Sequence, residues 1–137
     1  MKTALILLLT SFSLTILNAQ NKDELLGQYW SENQEGKIEI YEKGGKYYGK
    51  ILWRNEVRKD TENPDPTLRN RSVIGIVFLK DFVYKDGEWK KGKVYSIDNG
   101  NTYSGKLWLE DGGKTLKMRG YLGISLLGRT ATLTRVE

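Results

Sequence analysis

Six residues between Asp60 and Arg71 hold much of the chemistry available to this chain. Asp60, Glu62 and Asp65 are carboxylates, Asn63 adds an amide oxygen, and Arg69 and Arg71 bring guanidinium groups. Two such carboxylates could divide acid and base work on a glycosidic bond, or ligate calcium together with Asn63. The arginines could grip an anionic ligand bidentately. The plainer reading is that these opposite charges bind one another and fix a loop across one end of the domain. The spacing is not that of an EF-hand, and carboxylates alone are weak evidence for a glycosidase.

What the chain lacks is sharper. It contains neither His nor Cys. That removes imidazole bases, Ser-His-Asp triads, thiolate nucleophiles, disulfides and His- or Cys-based metal centres. Any catalysis would run on carboxylates, Lys or Tyr, and no catalytic constellation of these is recognisable. No cofactor and no metal site are expected.

Two further groups bear on ligand binding. Tyr47, Trp53, Tyr95, Tyr103 and Trp108 could line a cavity, or serve as core residues worth about 1.5–3 kcal/mol each on burial. Arg129 shares its strand parity with Leu127, Ala131 and Leu133, which aims a guanidinium along an apolar face. A buried Arg needs a carboxylate, from the protein or from a ligand; pairing within the protein is the plainer reading, and Arg129 is the first candidate for a ligand anchor.

The elements that position these residues are strands. Gly36 to Trp53 reads GKIEIYEKGGKYYGKILW, and Gly92 to Leu109 repeats the pattern as GKVYSIDNGNTYSGKLWL. Each copy is an alternating run, a Gly-containing turn and a second alternating run, which encodes a β-hairpin. Alternation predicts that Tyr47, Gly49, Ile51 and Trp53 face inward, as do Tyr103, Gly105, Leu107 and Leu109. Gly49 and Gly105 sit mid-strand, where a missing side chain fits strong coiling or close approach by another backbone. Arg54 to Ser72 reads as a long irregular loop carrying both prolines. Val73 to Phe78 is then expected as a strand, with Asp81 to Tyr84 a short extension. Strands over Glu88 to Ile97, Leu116 to Leu122 and Ser125 to Val136 follow. The fold class is all-β: about eight antiparallel strands closing into a single up-and-down barrel, with a two-sheet sandwich as the alternative.

The first nineteen residues read as a secretory signal. Lys2 gives a positive start, Ala4 to Ile16 an apolar stretch, and Leu17-Asn18-Ala19 a cleavage site ahead of Gln20. The stretch is too short for a membrane span, and no transmembrane segment is expected in the mature chain. The remainder, 20–137, suits one domain. The leader carries one Lys and no acid, so a net charge of +5 falls by only one on cleavage. Mixed charge and export together argue against a nucleic-acid partner.

Three segments resemble a known family. They are Asp60-x-x-Asn63-Pro64-Asp65-Pro66-x-Leu68-Arg69-Asn70-Arg71; Trp89-x-x-Gly92-Lys93-Val94-Tyr95 with Asn99-Gly100-x-Thr102-Tyr103-Ser104-Gly105; and Leu116 to Tyr121 running on to Gly128-Arg129-Thr130 and Thr134-Arg135-Val136. The chain is similar over nearly its whole mature length to the small exported bacterial proteins catalogued as domain of unknown function 2147. The resemblance implies a signal peptide and a lipocalin-like all-β barrel, and no established activity. Lipocalins typically open their first strand with Gly-x-Trp, the Trp packing under an Arg from the closing strand. Here the spacing is Gly27-x-x-Trp30, with Arg129 and Arg135 as the candidate partners of Trp30. Members often carry cysteines and a C-terminal aromatic; this chain has no Cys, and Leu133 stands before Thr134.

The resulting expectation is a periplasmic or extracellular barrel that binds a small apolar or amphipathic molecule. Tyr47, Trp53 and Tyr103 would hold its apolar part, and Arg129 or the Asp60–Arg71 loop would orient it. Two other readings compete. One is an envelope interaction module with an exposed patch around Tyr48, Leu52 and Trp108. The other is an enzyme on envelope sugars, which needs two of Asp60, Glu62, Asp65 and Asp98 facing across a cleft.

Overall fold

Gly44 and Gly45 both adopt positive φ, 60° and 81°, which is the backbone a tight two-residue hairpin turn requires. Glu42 accepts a hydrogen bond from the Gly45 amide at 2.8 Å and fixes this turn between its strands. The same logic repeats around the molecule. A computed structural model describes residues 21–121 and 128–137. The strands are β1 (Gly27–Trp30), β2 (Gly36–Lys43), β3 (Lys46–Arg54), β4 (Val77–Lys85), β5 (Glu88–Tyr95), β6 (Thr102–Glu110), β7 (Thr115–Tyr121) and β8 (Arg129–Arg135). Each pairs antiparallel with the next, and β8 returns to β1 through Tyr29–Arg135 and Trp30–Thr134, closing the barrel. Helical structure among the described residues is limited to short 3-10 turns.

The expected inward faces are found except at Trp53, which is turned outward. Tyr47, Gly49, Ile51, Gly105 and Leu107 are buried, and Leu109 packs against the core. Strict alternation fails at four places, one of them where adjacent Phe78 and Leu79 both face inward as the β3 register shifts between Gly49 and Lys50. Leu79 and Phe82, three apart on β4, are both fully buried, because the register with β3 shifts between Tyr47 and Gly49 and Asp81 takes a φ of 62°. Trp89 and Gly92 on β5 repeat this around Lys91, with a φ of 59°. The fourth shift lies on β3, where Ile51 pairs with Ile38 but Trp53 pairs with Lys37. One extra residue, Leu52, turns over every side chain beyond it.

Two boundaries differ from expectation. Val73 to Ile76 is a turn rather than the start of a strand; Gly75 has a φ of 89°, and Val73 and Ile76 pack as a small core with Ile51. Val77 to Lys85 is one strand, so Asp81 to Tyr84 is no separate extension. The last strand begins at Arg129, and the part expected from Ser125, like the signal segment 1–19, lies outside the described residues.

The ends of the barrel are unlike. At one end are the tight turns after β2, β4 and β6, plugged by a 3-10 turn at Lys22–Leu25. Leu25, Tyr29, Phe82, Trp89 and Leu116 are completely buried there, each worth about 1.5–3 kcal/mol. Their polar atoms are satisfied: Tyr29 Oη donates to the Leu25 carbonyl, Trp89 Nε1 to that of Lys22, and Tyr47 Oη to Asp23. Burial raises both the Tyr29 and Tyr47 hydroxyls to about 12, so each stays a neutral donor. Arg135 seals this end, its guanidinium 4.8 Å over the Tyr29 ring and donating to the carbonyls of Gly113, Leu26 and Glu24.

That contact corrects the expected partner of Trp30. Tyr29, two residues after Gly27, points inward and takes Arg135, while Trp30 points outward beneath Lys37, whose Nζ lies 4.5 Å from its ring. Spacing in a strand decides which face a residue meets, and an even step from Gly27 reaches Tyr29.

Candidate functional site

Among the described residues the opposite end is open. A cavity of about 380 Å³ lies within it, its wall built from Ile38, Ile51, Phe78, Val94, Met118, Ala131 and Leu133. These come from six strands, each contributing a residue of its inward face near the open end. The mouth is polar, with Ser31, Glu32, Glu35, Arg54, Ser96 and Asp98. Against Val94, Met118 and Ala131 the cavity adjoins a second cleft of about 360 Å³ that reaches Tyr103 and Arg129.

Phe82 closes the floor. A Cβ added at Gly92 would overlap its ring, and one at Gly105 would meet its Cζ at 3.4 Å. Gly49 lies equally close to Leu79, where an added Cβ would come within 2.7 Å of Cδ1. The paired glycines thus admit two bulky side chains to the barrel waist, a close approach by side chains rather than by backbone.

The long loop caps part of the open end. Asp60 is fully buried and accepts from Tyr95 Oη at 2.6 Å, Asn63 Nδ2 at 2.8 Å, and Arg71 Nε at 3.0 Å and Nη2 at 2.9 Å. Burial alone would raise its carboxyl, but those hydrogen bonds and the Arg71 charge outweigh it and hold the group below the usual 3.8. Burial and the bond to Asp60 push Tyr95 up to about 12. Asp65 accepts from the Thr67 amide and hydroxyl, which lower its carboxyl, and Arg69 donates to the Asn63 carbonyl at 2.7 Å. The loop is stitched to the β5–β6 turn by Arg58, which meets Asp98 at 2.8 Å and the Ile97 carbonyl at 3.1 Å.

The candidate residues therefore separate into groups. Asp60, Asn63, Asp65, Arg69 and Arg71 spend their polar atoms on one another and on Tyr95 and Thr67, which is the self-bonded loop of the plainer reading. Asp60 and Asp98 are each held by an arginine and Asp65 by Thr67, so the facing carboxylates needed for sugar hydrolysis are not formed. Among the described residues no three acidic side chains gather to hold a metal ion.

Tyr47 lies in the filled end against Trp89, ring centroids 6.2 Å apart, and not in the cavity wall. Trp53 is at the rim, 44% exposed and edge-on to Trp30, because the extra residue at Leu52 turns it outward. Tyr103 reaches the second cleft, where its hydroxyl accepts from Asn99 at 2.7 Å. Arg129 is exposed at the rim of that cleft rather than buried along an apolar face. Trp108 faces outward beneath Lys106 and donates to Glu110. Tyr48, also outward, stacks on Tyr41 and donates to Asp81, so neither aromatic of the proposed patch is bare.

Sequence reasoning missed Arg54. Strict alternation from Ile51 sends it to the outer face, and no residue type near Leu52 announces the bulge. Met118 and Ala131, also cavity residues, were legible only as members of alternating strands.

The comparisons with known proteins agree with this geometry. No curated protein sequence matches the chain. It is similar to a solved structure described as "Protein HP1028 from the human pathogen Helicobacter pylori belongs to the lipocalin family", with a TM-score of 0.73 and 31% identity over 82% of this chain and 83% of that one. Residues 27–135 match the model of the family described as "Uncharacterized protein conserved in bacteria (DUF2147)". With a match from the first strand to the last and a closed eight-stranded barrel, the chain belongs to this bacterial family, whose fold here is lipocalin-like.

Proposed function

We propose that this is an exported protein that binds a small apolar or amphipathic molecule in the open half of its barrel. The observation that carries the reading is the cavity of about 380 Å³, apolar within and polar at its mouth. That combination of size and lining is typical of small-molecule sites. Eight-stranded barrels have room for one small ligand when their own side chains do not fill them. The lipocalin-family neighbour supports the same use of the fold. Export is supported by the leader pattern of residues 1–19, with cleavage near Ala19. Among the described residues no helix is long and apolar enough to cross a membrane.

Titration with the apolar fluorophore N-phenyl-1-naphthylamine tests the reading. Saturable one-to-one binding that is lost in Ala131→Phe, which fills the cavity from β8, is the expected result. Mass spectrometry of a solvent extract of the secreted protein should then identify the natural occupant. Absence of saturable binding by the folded protein overturns the proposal.

A further inference from the structure

We infer that Arg54 anchors an anion in this cavity, and that the ligands selected carry a carboxylate on a short apolar body. The inference rests on the cavity reading and narrows it to a chemical class.

Arg54 ends β3 opposite Gly36, past the extra residue at Leu52. The bulge that turns Trp53 outward turns Arg54 inward, onto the cavity wall, and Gly36 has no side chain to contest the space. Its side chain is 20% exposed. Its Nε is buried without any hydrogen-bond partner, alone in this among the described residues. Nη2 has only Glu56 Oε1 at 3.8 Å, too far for a hydrogen bond, and that Glu side chain is 65% exposed. A buried guanidinium N–H without an acceptor is costly, and such groups in folded proteins nearly always have a partner.

The other charged groups at the mouth are already engaged or outside. Asp98 holds Arg58, Glu32 accepts from the Thr132 amide at 2.9 Å, Glu35 is exposed, and Lys37, which also lines the cavity, holds its Nζ 4.5 Å from the Trp30 ring. Among the described residues Arg54 alone keeps a buried side-chain donor without a partner, and it lies on the lining of the space. Nε and Nη2 lie side by side in the guanidinium plane, and two carboxylate oxygens match that edge bidentately. An alcohol can satisfy only one of the two. Phe82 and Leu79 close the waist, so the apolar body must be short.

Displacement of N-phenyl-1-naphthylamine by octanoate and by octanol, at neutral pH, tests the assignment. The wild-type protein should prefer octanoate by about tenfold or more, the usual advantage of a charge-assisted pair. Arg54→Met should abolish that preference by weakening octanoate while octanol is unchanged, and Arg54→Lys should fall between. Lys106→Met, which removes an outward cation over Trp108, should leave the preference intact. Equal displacement by both compounds in the wild type, or a preference that survives Arg54→Met, overturns the anchor and leaves the cavity reading standing. Displacement by neither compound, where the fluorophore itself does not bind saturably, removes both. Should Arg54→Met fail to fold, Arg54→Lys decides: an undiminished preference there overturns the side-on pairing.

Discussion

Below Phe82 the barrel is packed with Trp89, Tyr29, Leu25 and Leu116, all without solvent exposure; beyond it the same strands surround empty space with Ile38, Ile51, Val94, Met118 and Leu133. Both regions draw on the same alternating pattern of inward apolar residues. They differ in the volume of those residues and in what stands at the end. Three of the largest buried side chains lie at or below the waist, whereas aliphatic residues dominate the cavity wall. The filled end is sealed by Arg135 and the N-terminal turn, and among the described residues the open end is only partly covered, by a self-bonded loop. Stability is therefore concentrated at one end, which leaves the other free to exchange its contents.

The widest separation between the halves should come from Phe82→Ala. Loss of this ring from the packed waist should cost about 3–5 kcal/mol in urea denaturation. It should also lengthen the cavity, so that longer amphiphiles bind the mutant better than the parent. A small loss of stability would mean the floor is not packed as described.

Asp60→Ala comes next. It leaves Arg71 and Tyr95 without their acceptor; because Arg71 is 39% exposed, solvent should soften the penalty to about 2 kcal/mol. The acid limb of the stability curve provides a finer reading. The folded Asp60 carboxyl lies below the ordinary 3.8, so its contribution is present above that value and is lost as pH falls through the folded pKa. Asp60→Asn should flatten this part of the curve. An unchanged acid limb would remove the loop from any role in holding the open end.

Arg135→Ala should lower stability by about 1–2 kcal/mol, through the lost contact with Tyr29 and the uncapped carbonyls of Gly113 and Leu26. Ligand binding should stay within twofold of the parent, since the sealed end takes no part in it. A marked loss of binding would show that the halves are coupled. The smallest effect is expected for Ala131→Leu. Added methylenes enter free space, so stability should change by less than about 1 kcal/mol while fluorophore binding falls. Strong destabilisation there would mean the cavity is not space the protein keeps open.

The barrel was legible in the sequence because its inward faces alternate over long runs, as in Tyr47-Gly49-Ile51 and Gly105-Leu107. The self-bonding of the Asp60–Arg71 loop was legible too, since its charges nearly balance. The single-residue shifts were not. Asp81 and Lys91 adopt positive φ without being Gly or Asn, and Leu52 has no unusual chemistry at all. Each is imposed by pairing with a neighbouring strand, which no local pattern records. The expectation for Trp53 failed at such a shift, and Arg54 was overlooked for the same reason. Arg129 failed differently: its parity with Ala131 was correct, but it stands at the strand end, where an inward direction leads to solvent.

The hydrogen bond from Arg135 to the Leu26 carbonyl joins groups 109 residues apart in sequence. Leu26 immediately precedes the first strand of the barrel, and Arg135 ends the last. Hairpins can form between neighbouring segments, but the circle cannot shut until β8 meets β1. Closure then pairs the first strand with the last, the costliest loop in the molecule to draw together. Until that moment β1 and β8 present open edges to any other chain nearby. Loss of Arg135 would remove this tie across the seam and lengthen that exposure, which favours pairing with another chain over closure.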